Sequence, residues 1–209
     1  SLTPRLPDTP PPMKPVPSSA ALALMLSLAL PATIAGAGGQ VLCEAESFAD
    51  VGGWVTDQQA MDQMGSPVLL AHGLGIPVKD AVTTVEFPHP GTYRLWVRTR
   101  DWVAPWKQPD THPDMRASGT PGVFEVLVDG VAVPTVFGNE GAAWHWQDGG
   151  RVTIAGTSAT VSLHDLTGFD GRCDAVLFPA DPDFVPPEEL EPLDRLRRRL
   201  LGLPDAPED

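Results

Sequence analysis

The stretch Thr92-Tyr-Arg-Leu-Trp-Val-Arg-Thr-Arg100 has a side-chain pattern that repeats every second residue. Alternate positions fall into two sets, which are Tyr93, Leu95, Val97 and Thr99 on one face and Arg94, Trp96, Arg98 and Arg100 on the other. A period of two is typical of a β-strand whose two faces meet different surroundings. The segment therefore predicts a strand that turns one face to a core and its arginines outward.

Short segments of the same kind lie on both sides of this strand. The further predicted strands are 41–48, 68–71, 82–87, 123–128, 131–133, 160–164 and 173–178. Glycine-rich and proline-rich turns separate them, and Asp129-Gly130 is the dipeptide expected in a tight hairpin. Many short strands without a long helical pattern predict an all-β fold, an antiparallel β-sandwich.

The pattern changes after Pro179. Leu193, Leu196 and Leu200 recur at helical spacing, with acidic residues before them and arginines after them. This order suits the helix dipole and predicts a short amphipathic helix over 188–201. The predicted organisation is an N-terminal extension with a signal peptide (1–37), a β-sandwich (38–180) and a linker that carries the helix (181–209).

Residues 20–30 form an eleven-residue apolar run that follows Lys14. The run is short for a membrane span and suits a secretory signal, and Ala35-Gly36-Ala37 offers a small-residue cleavage site. We therefore expect a secreted or periplasmic protein, with no membrane segment after signal removal. An oxidising compartment makes a Cys43–Cys173 disulfide chemically possible, and two buried thiols are the alternative.

Charge and motifs exclude several function classes. The 209-residue chain has 27 acidic and 14 basic residues, a formal charge of −13, which disfavours nucleic acid as a partner. Two cysteines cannot form a four-thiolate zinc site. The sequence has none of the usual dinucleotide, phosphate-loop, zinc-protease or nucleophile-elbow motifs, so it predicts no catalytic residue.

Four of the six tryptophans fall in two irregular stretches, Asp101-Trp-Val-Ala-Pro-Trp106 and Trp144-His-Trp146. Loops at one end of a sandwich converge, and an indole can stack on a sugar whose hydroxyls bond nearby Arg and Asp. The predicted ligand-binding surface consists of Arg98, Arg100, Asp101, Trp102, Trp106, Trp144, His145 and Trp146. The alternative is that these rings plug the mouth of the sandwich.

Three motifs carry a resemblance to a known superfamily. Glu44-Ala45-Glu46, Gly91-Thr-Tyr-Arg-Leu-Trp-Val-Arg98 and Arg172-Cys-Asp-Ala-Val-Leu177 resemble carbohydrate-binding modules with the galactose-binding-like jelly-roll fold. The resemblance implies a structural calcium ion held by Glu44 or Glu46 and by Asp174. Elementary chemistry agrees, because three carboxylates near adjoining chain ends pack poorly unless a cation lies among them.

A longer set of motifs, among them 97–106 and 164–175, resembles an accessory domain of bacterial exported FAD-dependent oxidoreductases, sometimes labelled xanthan lyase. No residue here matches the flavin-binding motif, so the resemblance implies a chain without FAD that has a flavin-dependent oxidoreductase domain as a partner. We expect a secreted, non-catalytic, calcium-stabilised module that binds a carbohydrate or glycoside. The alternatives are the accessory domain of a split or truncated FAD-dependent oxidoreductase, and a polysaccharide lyase or hydrolase.

Overall fold

The structure is a computed structural model that describes residues 35–36, 39–106 and 121–204. The predicted signal-peptide core, residues 20–30, lies outside these ranges. None of the described helices is long and apolar enough to cross a membrane.

The described residues form short strands and two α-helices. The strands are β1 (Ala35–Gly36), β2 (Gln40–Glu44), β3 (Val55–Asp57), β4 (Val68–His72), β5 (Ala81–Glu86), β6 (Gly91–Thr99), β7 (Phe124–Val128), β8 (Val131–Phe137), β9 (His145–Ile154), β10 (Ser158–Asp165) and β11 (Phe169–Pro179). The helices are α1 (Met61–Met64) and α2 (Leu190–Leu201), with 3₁₀ turns at Ala45–Ser47 and Ala104–Trp106.

Two antiparallel sheets make a jelly-roll β-sandwich, as predicted. In the first sheet β6 lies between β9 and β11, and the far side of β11 pairs with β4 through residues 169–173 and with β2 through residues 175–179. Strand β3 extends the sheet from β4, and β1 extends it from β2. The second sheet has the order β5-β10-β7-β8, and the Asp129-Gly130 hairpin joins β7 to β8 as expected.

The core lies between the inner faces of the two sheets. Tyr93, Leu95 and Val97 of β6 face this core, which confirms the alternation seen in the sequence. Trp54 joins it with its ring edge-on to Phe124, at 5.5 Å between ring centroids. Aliphatic and aromatic burial of this kind is the main favourable contribution to folding.

Strand β9 corrects the sequence interpretation. We expected His145 and Trp146 in a glycine-flanked loop, but β9 runs through Gly149-Gly150 and pairs with β6 over its whole length. A Cβ atom on Gly149 would lie 2.4 Å from Cδ2 of Leu95, and Gly150 has φ +82°. The glycines therefore accommodate a close strand contact and a register shift at Leu95 rather than a chain reversal.

Helix α2 packs on the outer face of the first sheet. Its apolar side chains contact a cluster on the sheet that consists of Leu42, Trp96, Trp146, Ala175 and Leu177. The segment before the helix is also fixed, because Trp146 donates its backbone N–H to Glu188 Oε1 (2.8 Å) and its ring N–H to the Pro187 carbonyl (3.2 Å). The helix ends at Gly202, which has the left-handed conformation typical of this position.

Candidate functional site

The outer face of the first sheet is divided into two parts. Helix α2 covers the part formed by β2, β9 and the end of β11. The other part, near β3, β4 and the start of β11, carries a pocket of about 210 Å³. The pocket is lined by Asp57, Gln59, Ala60, Gln63, Val68, Arg100, Trp102, Trp144 and Arg172.

Trp102 is the half-exposed aromatic ring of this pocket, and its position is fixed by three contacts. Its ring N–H donates to the Phe169 carbonyl at 2.9 Å. The guanidinium carbon of Arg172 lies 5.4 Å from its ring centroid, within cation–π range. Gly122 lies against the ring, because a Cβ atom there would be 2.5 Å from the indole nitrogen. The ring is therefore held in one place beside the pocket.

Two guanidinium groups give the pocket a positive wall. Burial lowers the pKa of Arg172, the neighbouring Arg100 lowers it further, and Asp170 and Asp57 oppose the change. Arg172 donates one hydrogen bond to the Asp170 carbonyl (2.7 Å). The Nε–H of Arg100 is buried and has no hydrogen-bond partner among the described residues. Two arginines and one acidic side chain, Asp57, thus line the pocket.

The structure brings three of the predicted ligand-binding residues together. Arg100, Trp102 and Trp144 line the pocket, although Trp144 is largely buried and packs on Met64 and Val68. Trp106 was also predicted, and its side chain lies outside the described part of the chain.

The remaining predicted residues with described side chains do not line the pocket. Trp146 and Arg98 are buried beneath α2, where Arg98 is only 2% exposed. Asp101 is buried, and its Oδ1 accepts from the Val103 N–H within its own turn. His145 is half-buried, and its Nδ1 lies 3.1 Å from the Ala143 carbonyl oxygen. These four side chains are therefore not part of the pocket surface.

Four polar lining residues were missed in the sequence: Asp57, Gln59, Gln63 and Arg172. Arg172 had a usable signal, because it precedes Cys173 on a predicted strand and an alternating pattern turns it outward. The other three lie on or next to the short β3 and α1 elements, and their local sequence gave no periodicity to interpret.

The three predicted calcium residues meet between the pocket and α2, together with two arginines. Glu44 Oε1 accepts from Arg197 Nε at 2.7 Å, and Asp174 Oδ2 lies 3.7 Å from Arg98 Nε. Arg197 also donates to the Met64 carbonyl and to Ser66 Oγ. All of these charged side chains except Glu46 are at least nine-tenths buried. We call the set Glu44, Glu46, Asp174, Arg98 and Arg197 the carboxylate–arginine cluster.

Burial controls the protonation of these acids. It raises the pKa of Asp174 to about 8 and that of Glu46 to about 7, and the charge of Glu44 contributes to both increases. Burial also raises the pKa of Glu44, while Arg197 opposes the change. Two guanidiniums cannot balance three carboxylates, so protons neutralise part of the negative charge near neutral pH.

The cluster as folded is arranged around two guanidinium groups. Among residues 39–106 and 121–204, no group of three or more His, Cys, Asp or Glu side chains is arranged to hold a metal. Calcium prefers six to eight oxygen ligands, whereas Glu44 already accepts from a guanidinium. The calcium site therefore stays a prediction from the resemblance.

Cys43 and Cys173 are both buried as thiols, and no disulfide joins them in the structure. Their strands pair antiparallel, as the disulfide hypothesis required. The register, however, places Cys43 opposite Val176 and Ala175 opposite Glu44. Cys173 is thus displaced by three residues from the position directly opposite Cys43.

Comparisons with known proteins give the fold. No protein-family model and no curated protein matches this chain. Among solved structures, the GH26-CBM35 β-(1,4)-mannanase of Podospora anserina is similar over 72% of this chain, with a TM-score of 0.51 and 15% identity. The match spans only 29% of that enzyme.

Two smaller structures also align. A family 35 carbohydrate-binding module from an environmental isolate matches 65% of this chain and 92% of its own, at 11% identity and a TM-score of 0.45. The CBM36-1 domain of a xylanase from the hindgut metagenome of Trinervitermes trinervoides matches 68% and 97%, at 15% identity and a TM-score of 0.45. The likeness to the mannanase shows that this chain shares an antiparallel jelly-roll β-sandwich with a part of a carbohydrate-active protein.

Proposed function

We propose that this chain is a non-catalytic glycan-binding module whose ligand occupies the pocket on the outer face of the first sheet. The observation that carries the proposal is the fixed, half-exposed indole of Trp102 beside two guanidinium groups. A sugar ring presents an apolar face that stacks on an aromatic ring and hydroxyls that bond polar groups. The pocket offers both in one place.

The charge of the pocket favours a sugar that carries a carboxylate. Among the described residues, Arg100 and Arg172 line the pocket together with one acidic side chain, Asp57, whereas the whole chain has a formal charge of −13. The positive charge of the pocket therefore differs in sign from the net charge of the protein. Guanidinium groups bind carboxylates through paired, charge-assisted hydrogen bonds. We therefore propose acidic saccharides as the favoured ligands.

The proposed cellular location rests on the sequence alone. The apolar run 20–30 supports export, which would place the module where polysaccharides occur. The role as a partner of a flavin-dependent oxidoreductase domain stays a prediction from the resemblance, and the polysaccharide lyase or hydrolase stays the alternative that the sequence leaves open.

A glycan array with the purified chain tests the proposal, followed by affinity gel electrophoresis in polygalacturonate and in neutral galactomannan. We expect retardation in the acidic polymer, and binding weaker by roughly tenfold or more for Trp102→Ala because the stacking contact is lost. Arg151→Gln is the matched control, because Arg151 is exposed on β9 away from the pocket.

The outcomes separate the two parts of the proposal. Binding to no glycan, or full binding by the Trp102→Ala variant, would contradict a glycan site in this pocket. Binding to neutral polymers alone would leave the site in place and contradict the acidic preference. Arg172→Gln should remove that preference, while Arg151→Gln should keep it.

A further inference from the structure

Arg197 joins three separate parts of the chain inside the carboxylate–arginine cluster. Its Nε donates to Glu44 on β2, its Nη1 to the carbonyl of Met64 at the end of α1, and its Nη2 to Ser66 before β4. Arg197 is 8% exposed, so water contributes little to the solvation of its charge. A side chain that bonds three acceptors from different parts of the chain, two of them buried, acts as a crosslink between them.

The acids of the cluster need a cation or protons to balance their charge. Among the described residues, Glu44 Oε2, Glu46 Oε2 and both oxygens of Asp174 are buried and accept no hydrogen bond. An isolated buried carboxylate is strongly destabilising unless it is paired or protonated. Arg98 pairs with Asp174 only loosely, at 3.7 Å, so Arg197 makes the tightest ion pair in the cluster.

The geometry of α2 explains why an arginine reaches this buried position. Arg197 follows Leu193 by one helical repeat and lies beside Leu196 and Leu200, which pack on the sheet. Because the leucines pack on the sheet, the guanidinium of Arg197 lies next to the carboxylates. The helix contributes an apolar face and a charge to the same surface.

We propose that the guanidinium of Arg197 is the resident cation of this cluster, in the role that a structural calcium ion would otherwise fill. The sandwich then depends on its C-terminal helix and not on a metal. This inference is independent of the glycan-binding proposal, because the cluster is buried and does not line the pocket.

The first experiment measures the thermal midpoint (Tm) of the full chain at pH 7 in EDTA and in excess CaCl₂. We expect the same Tm in both. A calcium ion bound specifically to the folded state, at a hundredfold excess over its dissociation constant, would raise Tm by roughly 5–11 °C. A saturable increase of that size would overturn the proposal.

The second experiment compares Arg197→Met with Arg195→Met, a matched control on the exposed side of the same helix. Loss of one partner of a buried pair should lower Tm by roughly 6–20 °C, whereas the exposed control should lower it by no more than roughly 4 °C. Equal effects of the two substitutions would contradict the role of Arg197.

The double variant Glu44→Gln with Arg197→Met separates charge balance from packing. Both variants lose the packing of the arginine, but only the single variant leaves the Glu44 carboxylate without its partner. We expect the Tm of the double variant to be higher than that of Arg197→Met. If Arg197→Met does not fold, we expect the double variant to fold. A double variant that is no more stable than the single one would show that Arg197 acts through packing alone.

Discussion

At the scale of single residues, Gly122 decides where Trp102 lies. The residue has φ +84°, and an added Cβ atom would meet the indole nitrogen at 2.5 Å. We expect Gly122→Ala to displace Trp102, to weaken glycan binding and to lower the free energy of unfolding by about 1–3 kcal/mol.

Gly130→Ala is the control for Gly122→Ala. Gly130 has a similar φ of +78° in the β7–β8 hairpin, but nothing lies within 4 Å of an added Cβ atom. Isothermal titration with the glycan identified on the array would compare the two variants. If Gly130→Ala weakened binding as much as Gly122→Ala, the effect would be due to backbone strain rather than to contact with Trp102.

Asp174 predicts a dependence of stability on pH. Its pKa in the folded protein is about 8, above the ordinary value of 3.8, so the folded state binds this proton more tightly than the unfolded state. The stabilisation is complete below pH 4 and is lost as the pH rises toward 8. Burial is the main cause of the raised pKa of Asp174, the charges of Glu44 and Glu46 add to it, and Arg197 and Arg98 oppose it.

We therefore expect Asp174→Asn to flatten the decrease of Tm between about pH 4 and pH 8, because the wild-type carboxyl loses its stabilising proton over this range. Melting of wild type and variant across this range, in buffers that contain chelator, makes the measurement. Parallel curves for the two proteins would show that another group causes the decrease.

At the scale of secondary structure, α2 is the element whose packing can be tested directly. Leu200 is fully buried against the sheet, whereas Leu190 at the start of the same helix is 57% exposed. Leu200→Ala should cost about 2–5 kcal/mol and Leu190→Ala less than about 0.5 kcal/mol. Urea denaturation of both variants measures the difference, and equal small costs would mean that α2 is not packed on the sandwich in solution.

Elements also differ in how well the sequence predicts them. Strand β6 was readable because its two faces meet different surroundings, the core and the helix. Strand β9 was not, because Gly149-Gly150 resembles a turn. Its glycines are explained only by the contact of Gly149 with Leu95 and Phe137 and by the positive φ of Gly150. Local patterns show what a residue does within its own element, and they do not show which neighbour it will meet.

At the scale of the whole molecule, the sandwich architecture followed from the sequence, but the site was predicted only in part. The two tryptophan stretches were expected to share one surface. Trp102 and Trp144 do line one pocket, whereas Trp146 lies beneath α2. The helix was visible in the sequence as an amphipathic pattern. The face on which it packs depends on contacts between distant segments, and a single sequence does not contain that information.

The two thiols report on opening of the whole sandwich. Cys43 and Cys173 are both fully buried between the sheets, so an alkylating reagent reaches them only when the sheets separate. We expect native protein to resist iodoacetamide and denatured protein to take up two equivalents, as measured by intact mass. Uptake of none after denaturation would indicate a disulfide instead.

The packing of α2 also determines how force would travel through the chain. Arg199 bonds Gln40 at the start of β2, and the Ala180 N–H bonds the Gly39 carbonyl, so the two ends of the sandwich meet at one corner. If the protein were held at both ends and stretched, the load would act directly on the contact between α2 and the sheet, because the two ends meet there. The helix would detach first. The chain would then lengthen at forces that leave the strands and their pocket intact.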